Sequence, residues 1–236
     1  MGGEELGPGP ELPGARTVVI GKSVEGRSIV ARRVGDVGAP RRALVVGSIH
    51  GDEPEGLRVT RRIRALGASI RGVDLWVIDT VNPDGLRAGR RQNARGVDLN
   101  RNFSVRWRRT GPSGSRYYAG RRAFSEPETR AVRKLILRLR PAVTIWYHQP
   151  FGHVFPPLGG GDAAVTRAYG SLTSNDVRTE PGKRYTGTAT MWQNGKLPDT
   201  TAFVVELPGG RSPWGRIKRH ASAALAVARL GAAAVR

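Results

Sequence analysis

Two residues three positions apart could form part of a metal site. His50 and Glu53 lie in the stretch Ser48–Gly56, which follows the apolar run Ala43–Val46. A single helical turn or a tight loop brings such a pair to one point. Imidazole and carboxylate are both zinc ligands, and a catalytic zinc needs a third protein ligand and an open position for water. The pair therefore predicts two ligands of a metal site whose third ligand lies elsewhere in the chain.

Two further candidates stand at the ends of apolar runs. His148 follows residues 143–147, and Glu206 follows residues 202–205. In open α/β sheets, ligands bind at the carboxyl ends of the strands, so we predict that His148 completes the metal site. His153, five residues farther into a loop, is the alternative ligand.

Glu206 is a carboxylate directly after four apolar residues. Such a position is costly for a charged group unless it has a partner. One interpretation is a structural carboxylate that backbone groups or an arginine satisfy. Near a metal-activated water, the same group could accept a proton and pass it to a leaving amine.

The loop at residues 89–103 is dense in hydrogen-bond donors. It contains four arginines and three asparagines. Arginine forks bind carboxylates or phosphates through paired hydrogen bonds, and asparagine adds neutral donors. A solvated basic loop without a ligand is the alternative interpretation.

Strand and helix patterns alternate along the chain, and this order favours an α/β fold. We expect a central mixed, mostly parallel twisted sheet with helices on both faces. The expected domains are a flexible N-terminal lead at 1–15 and one catalytic domain at 16–236. Strands are predicted at 17–20, 28–34, 42–48, 74–80, 143–147 and 202–205, and helices at 54–66, 125–139, 163–172 and 212–234.

Two connecting segments carry local signals. Asn82-Pro83-Asp84-Gly85 has the composition of a turn. Ser125 and Glu128 have the spacing of a capping box, which predicts Ser125 as the N-cap of a helix. The polar stretch 86–120 between them is long for a loop in a compact domain, and loops of that length are usually functional.

The net charge of +20 results from 39 basic and 19 acidic residues, but only five of the basic residues are lysine. Arginine is spread through every segment, so we do not expect a specific nucleic-acid partner; an acidic substrate or an anionic cell wall suits the charge. The absence of cysteine excludes disulfides. No apolar stretch is long enough for a membrane span. Residues 1–16 lack a signal-peptide pattern, so a cytoplasmic location is the default expectation, with export if a leader has been removed.

Several motifs together resemble the M14 family of zinc carboxypeptidases. The resemblance covers about residues 17–210. Its motifs, in chain order, are Ile20-Gly21-Lys22-Ser23-Val24-Glu25-Gly26-Arg27, His50-Gly51-Asp52-Glu53, Asn82-Pro83-Asp84-Gly85, Gly96-Val97-Asp98-Leu99-Asn100-Arg101-Asn102-Phe103, Ser125-Glu126-Pro127-Glu128, His148 and Glu206.

The resemblance implies a zinc carboxypeptidase-like fold and one Zn²⁺ per chain. The implied metal ligands are His50, Glu53 and His148. Glu206 would act as the general base and acid.

The resemblance also implies roles for the donor-rich loop. Arg91 would stabilise the oxyanion that develops in the reaction, which agrees with placing fixed positive charge where negative charge forms. Asn100 and Arg101 would bind the terminal carboxylate of the substrate. Tyr185 would cover that carboxylate, by its separation from Glu206.

The implied activity is hydrolysis, by zinc-activated water, of the bond to a C-terminal residue in a peptide with a free C-terminal carboxylate. The short chain and the Gln149-Pro150 pair after His148 resemble the bacterial branch that includes murein peptide amidases, which cut γ-D-glutamyl-diaminopimelate. One alternative is an N-acyl amino acid deacylase of a related branch, although the motifs at 82–85 and 100–103 favour the peptidase. A noncatalytic module that binds zinc or anionic glycopeptides is the other alternative.

Overall fold

The centre of the protein is a six-stranded sheet. The structure, a computed structural model, describes residues 16–179 and 185–230, so the predicted lead at 1–15 lies outside the described residues. The strands are β1 (Thr17–Lys22), β2 (Ser28–Arg33), β3 (Arg42–Val46), β4 (Asp74–Ile78), β5 (Val143–His148) and β6 (Thr201–Glu206). All six lie where the sequence predicts strands.

The sheet is mixed, with a parallel centre. Its order is β1-β2-β4-β3-β5-β6, and β1 and β2 form an antiparallel edge. The strands β4, β3, β5 and β6 are parallel neighbours. The register of β5 and β6 places His148 directly beside Glu206. The expectation of a mostly parallel, mixed sheet is confirmed.

Helices cover both faces of this sheet. They are α1 (Glu55–Leu66), α2 (Pro83–Ala88), α3 (Pro127–Leu139), α4 (Ala163–Thr173), α5 (Ala189–Lys196) and α6 (Trp214–Leu230). Side chains alternate along a strand, so Ala43 and Val45 pack in the core with α1, α4 and α6, while Leu44 and Val46 pack in the core with α3 and α5. None of the described helices has the length and apolar character to cross a membrane.

Two local predictions are wrong. The segment expected to be a turn at Asn82 begins α2: Pro83 is the first helical residue, and the Asn82 side chain accepts a hydrogen bond from the backbone N–H of Gly85. The N-cap of α3 is Glu126, not Ser125. Ser125 Oγ instead donates to the carboxylate of Glu126 and accepts from Asn102.

The donor-rich loop is fixed by two buried asparagines. Asn93 Nδ2 donates to the carboxylates of Glu126 and Glu128, at the start of α3. Asn102 Nδ2 donates to the carbonyl oxygens of Ala119 and Arg122. Buried amides keep their position only while these bonds are made. The loop is therefore held rigidly beside the sheet.

His220 in α6 has a structural role. Its Nδ1 lies 2.8 Å from the hydroxyl of Tyr169, which contacts the hydroxyl of Tyr147 at 2.9 Å. Burial, together with the positive charges of Arg216 and Arg219, lowers the pKa of His220 from 6.5 to about 4. Between these values the unfolded chain binds a proton that the folded protein does not, so stability decreases as the pH falls.

We expect His220→Gln to weaken this pH dependence. In the unmodified protein, His220 accounts for roughly 1–2 kcal/mol of the stability lost between about pH 7 and pH 5. Urea unfolding at both pH values should show a smaller loss for the variant. Tyr169→Phe is the control, because it removes a partner of His220 and leaves the imidazole in place. An equal loss in His220→Gln and the unmodified protein would contradict the assignment.

Candidate active site

The candidate site lies at the carboxyl ends of the parallel strands. His148 ends β5 and Glu206 ends β6. His50 and Glu53 occupy the tight turn between β3 and α1, where the backbone N–H of Glu53 donates to the carbonyl of His50. These positions agree with the rule that ligands bind at this edge of an α/β sheet.

Glycine is needed at one position in the turn and at one position at the start of α1. A Cβ at Gly51 would lie 2.0 Å from the carbonyl carbon of Gly85 in α2, and one at Gly56 would lie 2.0 Å from the carbonyl oxygen of Gly47. Only residues without a side chain permit such close backbone contacts. Gly51 therefore lets the turn pack against α2, and Gly56 lets the start of α1 pack against the end of β3.

Three buried side chains converge at this edge and could hold one metal ion. Glu53 Oε2 lies 2.9 Å from His50 Nδ1 and 2.7 Å from His148 Nδ1. A ligand atom from each of the three residues lies within 4.8 Å of the other two. His153, the alternative ligand, instead packs against the rings of Phe151 and Phe155 and is not part of this group.

Asp98 fixes the orientation of the His50 ring. His50 Nε2 lies 3.0 Å from Asp98 Oδ1, and both side chains are buried. A proton on Nε2 leaves a lone pair on Nδ1. That buried Nδ1 has no hydrogen-bond partner within the described part of the chain, although it lies near Glu53. A lone pair directed at neighbouring ligand atoms fits a metal ion, so the residues present suit the group that the sequence implies.

Arg91 connects the two buried carboxylates. Its Nε and Nη2 lie 3.0 and 2.9 Å from Asp98 Oδ2, and its Nη1 donates to Glu53 Oε1 at 3.1 Å. The guanidinium therefore orients the oxygen of Glu53 that does not face the histidines. The N–H groups of Arg91 that make neither contact are left for another acceptor.

The buried acids stay ionised through these contacts. Burial opposes ionisation, but His50 and His148 hold the pKa of Glu53 far below its usual value. In the same way, His50 and Arg91 overcome the effect of burial and hold the pKa of Asp98 far below its usual value. The site therefore presents an ionised carboxylate to a metal at neutral pH.

The pKa of Glu206 is shifted in the opposite direction. Burial and, next, the negative charge of Glu53 raise the pKa of Glu206 to about 8. Its Oε2 is buried without a hydrogen-bond partner among the described residues. A carboxyl group with a pKa near neutrality can both accept and donate a proton under physiological conditions.

All eight site residues predicted from the sequence line one cavity of about 130 Å³. Asn100 Oδ1 accepts from the backbone N–H of Ala189, and Asn100 Nδ2 lies 3.5 Å from His148 Nε2. Arg101 donates to the carbonyl of Asn100, and its guanidinium carbon lies 5.8 Å from the ring centroid of Tyr185. The structure thus brings together Tyr185 and residues from β5, β6, the turn between β3 and α1, and the donor-rich loop.

Sequence reasoning missed the functional contacts of two residues. It gave no role to Asp98, although an aspartate between the apolar Val97 and Leu99 in a polar loop is a sign of a buried, partnered acid. It treated Gln149 only as a mark of a family branch. In the structure Gln149 Oε1 accepts from the backbone N–H of Glu55, and Gln149 Nε2 donates to the carbonyl of Pro208.

Three buried protein ligands beneath a cavity, with a carboxyl group of raised pKa beside them, define the site of a metal-dependent hydrolase. The model of the zinc carboxypeptidase family matches residues 12–155. The chain belongs to this family. Glu206 and Tyr185 lie beyond the matched residues, so their placement in the cavity comes from the fold.

Several solved structures share this fold. The murein-tripeptide amidase MpaA from Escherichia coli O157 is 24% identical, with a TM-score of 0.74, and the match covers 91% of this chain and 92% of that one. Carboxypeptidase A from Helicoverpa armigera is 23% identical, with a TM-score of 0.74 and coverage of 89% and 68%. Bovine thrombin-activatable fibrinolysis inhibitor is 19% identical, with a TM-score of 0.75 and coverage of 91% and 88%.

We expect Asp98→Asn to weaken zinc binding about 10- to 100-fold, because the amide no longer holds His50 as a strong acceptor would. Competition with a chromophoric chelator measures this affinity. Asp52→Asn is the matched control: Asp52 is an exposed acid in the same turn, and its loss removes the same charge. Equal weakening in both variants would show that overall charge, not the Asp98 contact, sets the affinity.

Proposed function

We propose that this protein is a zinc-dependent peptidase or amidase that hydrolyses the bond to a C-terminal residue. The observation that carries the proposal is the presence, in one cavity, of the His50, Glu53 and His148 group and of Glu206. A metal site without a catalytic role does not need a buried carboxyl group with a pKa near neutrality. Family membership supports the same reaction.

In this proposal His50, Glu53 and His148 hold the zinc ion. When bound, zinc polarises the scissile carbonyl and makes water more acidic. Glu206 takes the proton from the attacking water and delivers it to the departing nitrogen. Glu206 lines the same cavity and its Oε2 has no hydrogen-bond partner among the described residues, so this carboxyl group is placed to accept the proton first and release it afterwards.

The basic residues have separate roles. The donors of Arg91 that are not engaged by Asp98 and Glu53 stabilise the negative charge that develops on the carbonyl oxygen. Asn100 and Arg101 bind the terminal carboxylate of the substrate. Tyr185, which stacks near Arg101, covers that carboxylate.

The proposed substrates are murein peptides, cut between γ-D-glutamate and diaminopimelate. The structural likeness to a murein-tripeptide amidase, which extends over nearly the full length of both chains, supports this choice. A substrate with several carboxylates also suits a protein with a net charge of +20.

Glu206→Gln should lower kcat by about 10²- to 10⁴-fold, because the amide cannot carry the proton. Zinc content should stay the same, since Glu206 is not among the three ligands. Asp199→Asn, a change at an exposed carboxylate, is the control for an altered charge. Normal turnover by the Glu206→Gln variant would contradict the mechanism.

A mass-spectrometric screen tests the substrate. Zinc-loaded protein is offered murein tri- and tetrapeptides, ordinary peptides and N-acyl amino acids. We expect release of the C-terminal residue from the murein tripeptide and no release from the same peptide with an amidated C-terminus, because Asn100 and Arg101 then lose their charged partner. Preferred hydrolysis of N-acyl amino acids would favour a deacylase. No hydrolysis of any substrate would favour a noncatalytic binding module.

A further inference from the structure

Two residues of the cavity wall have no role in the mechanism above. Arg116 and Tyr117 lie in the loop between Phe103 and Phe124 and line the same cavity as the metal ligands. Both are exposed, and the Tyr117 residue has 50% of its surface accessible. A half-exposed aromatic ring at the wall of a cavity offers contact surface to a ligand.

Three guanidinium groups surround the ring of Tyr117. The guanidinium carbons of Arg91, Arg101 and Arg116 lie 5.3, 5.5 and 5.9 Å from its centroid. All three distances are within the range of a cation–π interaction. The ring therefore holds three positive charges close together at one side of the cavity.

Of these three arginines, only Arg91 forms an ion pair with a described residue. Arg91 is paired with Asp98 and Glu53. Arg101 donates to a backbone carbonyl, and in the described part of the chain no carboxylate lies within ion-pairing distance of Arg101 or Arg116. Among the described residues, Arg101 and Arg116 thus have no carboxylate partner, which is one guanidinium more than a single terminal carboxylate requires.

We propose that Arg116, placed by the ring of Tyr117, binds a second carboxylate of the substrate. The inference rests on the proposed function, in which Arg101 binds the terminal carboxylate. The substrate class is then a peptide with an additional acid group close to its C-terminal residue. A γ-glutamyl linkage has this form, because it leaves the α-carboxylate of the glutamate free. The planar fork of arginine suits such a group.

A general attraction of anions by the net charge is the competing explanation. Arg109 separates the two explanations. It is exposed on the same loop and does not line the cavity. Arg109→Gln therefore removes the same charge as Arg116→Gln without altering the cavity wall.

The test compares two ligands that differ in one group. They are N-acetyl-γ-D-glutamyl-diaminopimelate with the glutamate α-carboxylate free, and the same peptide with an α-carboxamide. Calorimetry measures their binding to zinc-loaded protein that carries Glu206→Gln, so that turnover does not disturb the measurement. We expect the free acid to bind about tenfold more tightly, and Arg116→Gln to reduce this ratio to about twofold or less.

Arg109→Gln should leave the ratio unchanged. Tyr117→Ala should lower it, because the ring no longer places Arg116. An equal affinity for the two peptides, a ratio unaffected by Arg116→Gln, or the same decrease in Arg109→Gln would each overturn the inference. These results concern binding alone, whereas a failure of the unmodified protein to hydrolyse any peptide would overturn the proposed function instead.

Discussion

The whole site depends on the neutralisation of buried negative charge. Asp98 and Glu53 are both ionised, and Arg91 contacts both of them. Burial in an environment of low polarity is unfavourable for both carboxylates, and a divalent metal ion beside Glu53 would add balancing positive charge. Burial and, next, the negative charge of Glu53 raise the pKa of Glu206. This electrostatic constraint thus favours metal binding beside Glu53.

The sequence was most informative where a physical rule acts over a short distance. Apolar runs predicted all six strands, and the residues after those runs predicted His148 and Glu206, because parallel strands end at one edge. Contacts made over long distances were not predictable in this way. Whether Asp98 reaches His50, or Asn102 fixes the start of α3, depends on how distant segments meet. The prediction of Ser125 as an N-cap was wrong for this reason, because the Ser125 hydroxyl accepts a hydrogen bond from Asn102 Nδ2.

Helix α5 shows a second limit of sequence reasoning. Its sequence contains Asn194 and Gly195, which are poor helix formers, and no helix was predicted there. Tertiary contacts outweigh this weak propensity. Trp192 packs in the core, and the buried amide of Gln193 donates to Thr144 in β5. At the start of α5, the Thr188 side chain caps the helix, and Asn100 Oδ1 accepts a hydrogen bond from the backbone N–H of Ala189. The helix and the donor-rich loop therefore stabilise each other.

Gln149 links parts of the reaction centre that are far apart in the chain. Its backbone N–H lies 3.4 Å from Glu53 Oε2, its amide oxygen accepts from Glu55, and its amide nitrogen donates to Pro208 and Gly210, just after Glu206. A carboxylate in place of the amide could not donate to the carbonyl oxygens of Pro208 and Gly210, and an amine could not accept from the backbone N–H of Glu55. The turn between β3 and α1 and the segment after Glu206 are therefore connected through Gln149. A displacement of the segment after Glu206 would therefore disturb the contacts that Gln149 makes with Glu53 and Glu55, so the two parts of the site are structurally linked.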